Sequence, residues 1–327
     1  MKFLDVCAGI GGFRLALEEI GFKCAGTVEI NTKSVETYNH NFHDKVEPLS
    51  IFDMDEKSVP DHDLLCAGFP CQSFSISGKR QGFSDPRGTI IHEIIRIAKY
   101  AKPKYMVLEN VKNLVSHDRG NTLRTIFDML TDIGYHPSYA VLNSKNFKVP
   151  QSRPRIFIVG IRSDLYKFDF DFPRGCNVLL PVSSVLVKGD TSIPISKKWD
   201  TYIDYYAGRI DEKSVGFDLP KTRVTLERHP EGVDLDNCIY QMRSSGIRAL
   251  DLNKPFPTLA VSISGGGAMI PVYSKERRHL SLLELKRIMG FPDNFIFPVS
   301  RTDAIKQLAN SVCPPVIKEI GIRLSEY

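Results

Sequence analysis

One cysteine, Cys71, stands in the stretch Gly68-Phe69-Pro70-Cys71-Gln72-Ser73-Phe74-Ser75, directly after the apolar run Leu64-Leu65-Cys66-Ala67. Such a run reads as a short buried strand, so the thiol falls just past a strand end. Gly68 admits a close ligand approach, and Pro70 fixes φ before Cys71 and removes one N–H. The thiolate is the nucleophilic form of cysteine, and Cys71 is the candidate nucleophile. Gln72 to Gly88 then span seventeen residues with three glycines and no hydrophobic period, a length usual for functional loops. Cys7, Cys24 and Cys66 read instead as small packing residues. A second constellation is Cys7-Ala8-Gly9-Ile10-Gly11-Gly12, followed seventeen residues after Gly12 by Glu29. An acid at the tip of a second strand is where open α/β nucleoside sites hold the two ribose hydroxyls. Glu109, ending the run Tyr105-Met106-Val107-Leu108, and the pair Arg153 and Arg155 complete the polar candidates. The two arginines point the same way if the segment is extended, and by themselves they also fit a solvated strand edge.

The elements that must position these groups are legible in the periodicity. Phe3 to Val6 is a short apolar run, and Phe13, Ala16, Leu17 and Ile20 then recur at helical spacing before Gly21. The run Cys24 to Val28 leads to Glu29. Ile91, Ile94, Ile95 and Ala98 form a second helical stripe, and Leu123, Ile126, Phe127 and Leu130 a third, followed by an apolar run over 139–142. Ile156 to Val159 adds another strand. Alternating strands and helices with short connections predict an α/β fold with a doubly wound, mostly parallel sheet. Gly9 to Gly12, Glu29, Cys71 and Glu109 all fall at the carboxyl ends of strands, where ligands sit in that architecture. After Pro173 prolines, glycines and polar residues break up the period, and no clear helix is expected before Ser281. Residues 174–298 therefore read as a second, smaller, irregular β-rich domain. Leu282, Leu285, Lys286 and Met289 belong to a helix ended by Gly290, and a last helix runs from about Pro315 to Leu324. That helix is expected to return to the first sheet, giving one domain of residues 1–173 plus 299–327.

The chain has 327 residues, 42% hydrophobic and 25% charged, with net charge +5 and a pI near 8.7. Such a balance permits a polyanionic partner without requiring one. Seven cysteines without a Cys-x-x-Cys pair predict a reducing compartment and no structural metal. An acid follows at Asp5, too early for the apolar core of a signal peptide, and no run approaches a membrane span. A cytoplasmic protein is expected.

Together these motifs resemble those of the bacterial DNA (cytosine-5) methyltransferases of restriction–modification systems. The resemblance runs through Asp5 to Phe13, Gly68 to Ser75, Asp85-Pro86-Arg87-Gly88, Glu109-Asn110-Val111, Gln151 to Arg155, Arg287 to Pro292 and Asn310-Ser311-Val312. It implies a Rossmann-like catalytic domain that uses S-adenosylmethionine, released as S-adenosylhomocysteine, without a metal. Cofactor contacts are implied at Cys7, Ala8, Gly9, Ile10, Gly11, Gly12, Glu29, Ile30, Ser50, Ile51, Gly68, Pro70, Ile90, Asn310, Ser311 and Val312. Residues 174–298 are implied to form the target-recognition domain. DNA contacts are implied at Ser75, Ser77, Lys79, Arg80, Arg87, Arg243, Thr258, Gly265 and Gly266. The resemblance also implies double-stranded DNA as partner, a monomer acting on DNA in the bacterial cytoplasm, and a restriction endonuclease as a functional, not physical, partner. Three positions depart from the pattern: Cys7 where an aromatic often lies, Ile30 where tryptophan is frequent, and Ser50 where aspartate is common. Each change removes a ring contact or a charge-assisted hydrogen bond.

The mechanism so implied is specific. A thiolate from Cys71 adds to C6 of cytosine and makes C5 nucleophilic towards a sulfonium methyl. Glu109 contacts N3 and the 4-amino group, Arg155 contacts O2, and Arg153 supports the cysteine environment. Loss of the C5 proton and β-elimination then free Cys71. C6 is unreachable inside a stacked duplex, so the base must leave the helix. An RNA cytosine-5 methyltransferase would share this chemistry, but that class usually carries a second cysteine where this chain has Glu109-Asn110-Val111. The tRNA-directed relative's Cys-Phe-Thr signature is also absent from 174–298. A non-catalytic DNA-binding or cofactor-sensing protein is disfavoured because Cys71, Glu109, Arg153 and Arg155 occur together.

Overall fold

The computed structural model describes residues 1–69, 90–190, 193–227, 231–243, 245–260 and 271–327. Pro70, Cys71, Ser75, Ser77, Lys79, Arg80, Arg87, Gly265 and Gly266 lie outside the described residues. The chain begins with β1 (Lys2–Val6), α1 (Gly12–Glu19), β2 (Lys23–Val28), α2 (Thr32–Phe42) and β3 (Leu64–Gly68). It continues through α3 (Ile90–Ala101), β4 (Tyr105–Val111), α4 (Asn121–Asp132), β5 (Tyr135–Asn143), β6 (Gln151–Ser152) and β7 (Pro154–Arg162). Then come α5 (Lys197–Tyr206), β8 (Ile239–Met242), β9 (Ile247–Leu250), β10 (Phe256–Pro257), β11 (Val272–Tyr273) and β12 (Arg278–His279). α6 (Leu282–Met289), α7 (Arg301–Asn310) and α8 (Pro314–Glu326) close the chain.

Six strands form one sheet in the order β2-β1-β3-β4-β7-β5. All run the same way except β7, which is antiparallel to both β4 and β5. The reversal follows from connection length. A parallel neighbour needs a crossover of a dozen or more residues, usually a helix, whereas β5 returns to β7 without one. Central strands are buried on both faces, which is why they read as continuous apolar runs. On one face Leu4, Leu65 and Met106 meet Ile91 and Ile94 of α3 and Ile126 of α4. On the other, Phe3, Leu64 and Val107 meet Leu17 of α1 and Val316 and Ile320 of α8. The last helix thus returns to the first sheet. Gly321 permits the approach, because a Cβ there would come within 2.6 Å of Ile20 and 2.8 Å of Leu17.

Beyond residue 174, β12-β11-β8-β9 form a four-stranded antiparallel sheet. α5 packs there through Trp199, Tyr202 and Ile203 against Tyr240, Ile247 and Val272. This helix is a correction to the expectation of none before Ser281. Its stripe has helical spacing but is largely aromatic, a composition that favours strands in isolation. Ser196 starts it by accepting from the Trp199 N–H at 3.3 Å. α7 was equally hidden, its buried face being Ala304, Ile305, Leu308 and Ala309. A further core joins Ile10, Phe256, Leu259, Leu285, Ile288 and Leu308, so the glycine turn, β10, α6 and α7 share one apolar cluster.

Candidate active site

The turn after β1 is built on left-handed backbone: Cys7 has φ +54°, Gly9 +57° and Gly11 +84°. For Cys7, a residue with a Cβ, that conformation is strained, and such strain persists where the surroundings over-determine it. Gly9 is placed so that a Cβ would meet open space, and its N–H donates to Glu29 Oε2 at 2.8 Å. The Asn31 N–H donates to the other oxygen, Oε1, at 2.7 Å. Two backbone donors therefore fix the Glu29 carboxylate at the strand tip. Gly11 and Gly12 have packing work instead. A Cβ on Gly11 would strike Phe42, and one on Gly12 would lie 2.7 Å from both Ser311 and Val312.

An open cleft of about 540 Å³ is lined by Cys7, Gly9, Glu29, Ile30, Ser50, Ile51, Gly68 and Ile90, and also by Glu109, Arg153, Arg155 and Asn310. A smaller hollow of about 200 Å³ shares Cys7, Gly9, Gly68 and Asn310 with it and adds Ala8, Ile10, Ser311 and Val312. The fold therefore gathers residues from eight separate stretches of sequence. Ile30 is 66% exposed and Phe52 49%, an apolar rim beside Glu29 that a flat base would cover. Phe52, Leu49, Asn31 and Ser34 line the cleft without having been singled out in the sequence. Their one signal was adjacency to Glu29 and Ser50. The Ser50 hydroxyl accepts from the Phe52 N–H at 3.2 Å.

Across the cleft, Glu109 and Arg155 are ion-paired, Nε to Oε1, at 3.1 Å. Arg153 is buried and donates through Nη2 to the carbonyls of Ala309 at 2.8 Å and Ser311 at 2.9 Å. Its Nε and Nη1 are buried with no partner among the described residues. Asn110 donates to the Phe69 carbonyl at 3.0 Å, anchoring the chain two residues before Cys71. The charges act on one another where the side chains are largely buried. Burial raises the Glu109 carboxyl above the usual glutamate value, although Arg155 and Arg153 pull it down. Burial likewise lowers Arg153 to about 10, with Arg155 adding repulsion, and lowers Arg155. Burial pushes the thiols of Cys7 and Cys313 up to about 12 and that of Cys238 to about 11, and raises Cys24 and Cys66 as well. All five are thereby held as un-ionised thiols near neutral pH, the state of a packing residue and not of a nucleophile. Cys66 is fully buried, whereas Cys7 and Cys24 are only partly so.

Two predicted DNA contacts lie elsewhere. Arg243 pairs with Glu227 at 3.2 Å in the turn between β8 and β9. The Thr258 hydroxyl donates to the Ser152 carbonyl at 2.9 Å. No helix among the described residues is long and apolar enough to cross a membrane.

Comparison with known proteins gives this arrangement its context. The chain is 37% identical over 327 residues to type II methyltransferase M.BsuFI of Bacillus subtilis, covering all of this chain and 73% of that protein. It is 36% identical over 328 residues to type II methyltransferase M.HhaI of Haemophilus parahaemolyticus, covering 99% and 94%. Among solved structures, a Spodoptera frugiperda DNMT2 variant superposes with a TM-score of 0.66 at 22% identity, over 99% of both chains. The S. pombe Dnmt2 methyltransferase does so with a TM-score of 0.64 at 18% identity, over 100% of this chain and 99% of that one. At those identities the likeness speaks for the fold. Residues 1–326, which include every element of the cleft, match the C-5 cytosine-specific DNA methylases, and the chain belongs to that family.

Proposed function

We propose that this enzyme methylates C5 of a flipped-out cytosine within a short double-stranded DNA sequence, with S-adenosylmethionine as donor. The carrying observation is one cleft that joins the Glu29 carboxylate, held by two backbone donors, to the buried Glu109–Arg155 pair. The donor fits this cleft: Glu29 is presented to a ribose, Ile30 and Phe52 offer apolar surface to adenine, and Gly9 leaves room beside them. When bound, S-adenosylmethionine supplies an electrophilic methyl group.

The protein's own groups perform the rest. The Cys71 sulfur, as thiolate, forms a bond to C6, and the ring electrons shift toward C5 and N3. Glu109, whose raised pKa favours the protonated form, holds a proton at N3 and accepts from the 4-amino group. Thymine presents the reverse pattern, N3–H and O4, and is disfavoured at the same contact. Arg155 faces O2, and Arg153 braces the segment through Ala309 and Ser311. After C5 gains its methyl group, the C5 proton leaves, and the electron pair of that bond expels the Cys71 thiolate.

We assign residues 1–173 plus 299–327 to chemistry and residues 174–298 to target choice, the enzyme acting as a monomer on DNA in the cytoplasm. A restriction endonuclease of the same target is its functional partner. Lys79, Arg80 and Arg87 are assigned to phosphate contacts. The test is mechanism-based trapping. Duplex DNA carrying 5-fluorocytosine, incubated with S-adenosylmethionine, should give an adduct that survives denaturing electrophoresis and maps to the Cys71 peptide. Cys71→Ser should give none, while Cys7→Ser and Cys66→Ser should still trap. An adduct undiminished in Cys71→Ser would end the assignment.

A further inference from the structure

Three residues spaced two apart in one extended segment reach three different parts of the molecule. Arg155 meets Glu109 and Arg153 meets the carbonyls of Ala309 and Ser311. Gln151 is fully buried. Its Nε2 donates to the Ile288 carbonyl at 3.0 Å and contacts Met289 Sδ at 2.9 Å, and its Oε1 accepts from the Leu259 N–H at 2.7 Å. β6, which carries Gln151, pairs in parallel with β10, with Phe256 opposite Gln151 and Pro257 opposite Ser152. The Thr258 hydroxyl adds a second stitch to the Ser152 carbonyl at 2.9 Å. Phe256 to Leu259, and Ile288 and Met289, are thus fastened to a segment whose next alternate positions are the two arginines.

The cost of this arrangement marks it out. A buried carboxamide must satisfy its donors and acceptor, and an apolar residue of the same volume would pack there without that demand. A joint built from directional bonds transmits displacement, whereas apolar contact tolerates sliding. We propose that Gln151 is a positioning residue that couples target recognition to capture of the cytosine. A shift of the 256–259 segment on meeting the correct sequence moves Gln151, and with it the registers of Arg153 and Arg155 against Glu109. This rests on the reading that residues 174–298 choose the target.

The test is Gln151→Met, which keeps volume and removes the hydrogen bonds to Leu259 and Ile288. A duplex pool with randomised bases around a central cytosine is methylated with S-adenosylmethionine, and the methylated contexts are read by bisulfite sequencing. The wild-type chain should mark one context. Gln151→Met should raise methylation outside that context relative to it by roughly tenfold, the equivalent of about 1.4 kcal/mol of lost coupling. S-adenosylhomocysteine affinity, measured by calorimetry, should be unchanged. Thr258→Val, a milder cut of the same joint, should shift the contexts in the same direction, and the double variant should be less than additive. If Gln151→Met does not fold, Thr258→Val carries the same expectation. Slower methylation with an unchanged context profile would overturn the coupling while leaving the enzyme's assignment intact. A wild-type profile with no preferred context would instead defeat the underlying reading of 174–298, and the coupling with it.

Discussion

At Glu109 two opposing effects act on one carboxylate, and burial wins. The pair with Arg155 at 3.1 Å lowers its pKa, yet the carboxyl still stands above its ordinary value because its own burial disfavours the charged form. A group of this kind is suited to hold a proton against a ring nitrogen, and an exposed glutamate near neutral pH is not. Glu109→Gln should lower kcat by about 10²–10⁴-fold while leaving S-adenosylhomocysteine affinity intact, as calorimetry would check. The stability profile carries a matching sign. With the folded pKa above the unfolded one, the native state binds more protons between the two values, so stability falls as pH rises through that window. Glu109→Gln should flatten that part of the profile in urea titrations. A variant of wild-type activity would remove Glu109 from the mechanism.

Among the elements, α6 shows how a short helix is held in an irregular region. Ser281 and Glu284 form a reciprocal capping box at its start, the Ser281 N–H donating to Glu284 Oε2 at 2.7 Å. The same carboxylate takes a bidentate pair from Arg278 at 2.8 Å on each arm, and both residues are buried. Arg278 also donates to the Val187 carbonyl at 2.9 Å, tying α6 to the chain some hundred residues earlier. Removing Arg278 strands the Glu284 charge in the interior, and removing Glu284 leaves the buried Arg278 with Glu276 alone, paired through Nε at 2.6 Å. Glu284→Ala should cost about 3–5 kcal/mol in chemical unfolding, whereas Arg278→Met with Glu284→Leu should cost less. Equal losses in the two variants would mean that the pair is not the governing interaction.

For the whole molecule, residues 174–298 join the rest through one apolar cluster and through several polar bonds that end on backbone groups. Gln151 bonds to the Leu259 N–H and the Ile288 carbonyl, Thr258 to the Ser152 carbonyl, and Asn41 to both backbone groups of Ile296 at 2.7 and 2.9 Å. Backbone partners survive a change of sequence. Residues 174–298 should therefore be exchangeable with the equivalent region of a relative, and the chimera should acquire that relative's target. Sequencing of methylated DNA from cells expressing it would decide. A folded, active chimera that kept the original target would refute the division of labour.

The sequence alone determined the strand–turn–helix order around Gly9 to Gly12, the acid at Glu29, and the alternation that builds the sheet, because these depend on local periodicity and glycine geometry. It also determined the family, through motifs whose residues are fixed by chemistry. Tertiary structure decided the rest. The reversal of β7 depends on strand pairing across the sheet, and α5 exists because Trp199, Tyr202 and Ile203 find a sheet to cover. The raised pKa of Glu109 and the unpartnered nitrogens of Arg153 arise from burial, which no local spacing encodes. The joint at Gln151 is formed with Leu259 and Ile288, over a hundred residues away in each case. A glutamine beside two arginines reads as polar surface until the fold encloses it.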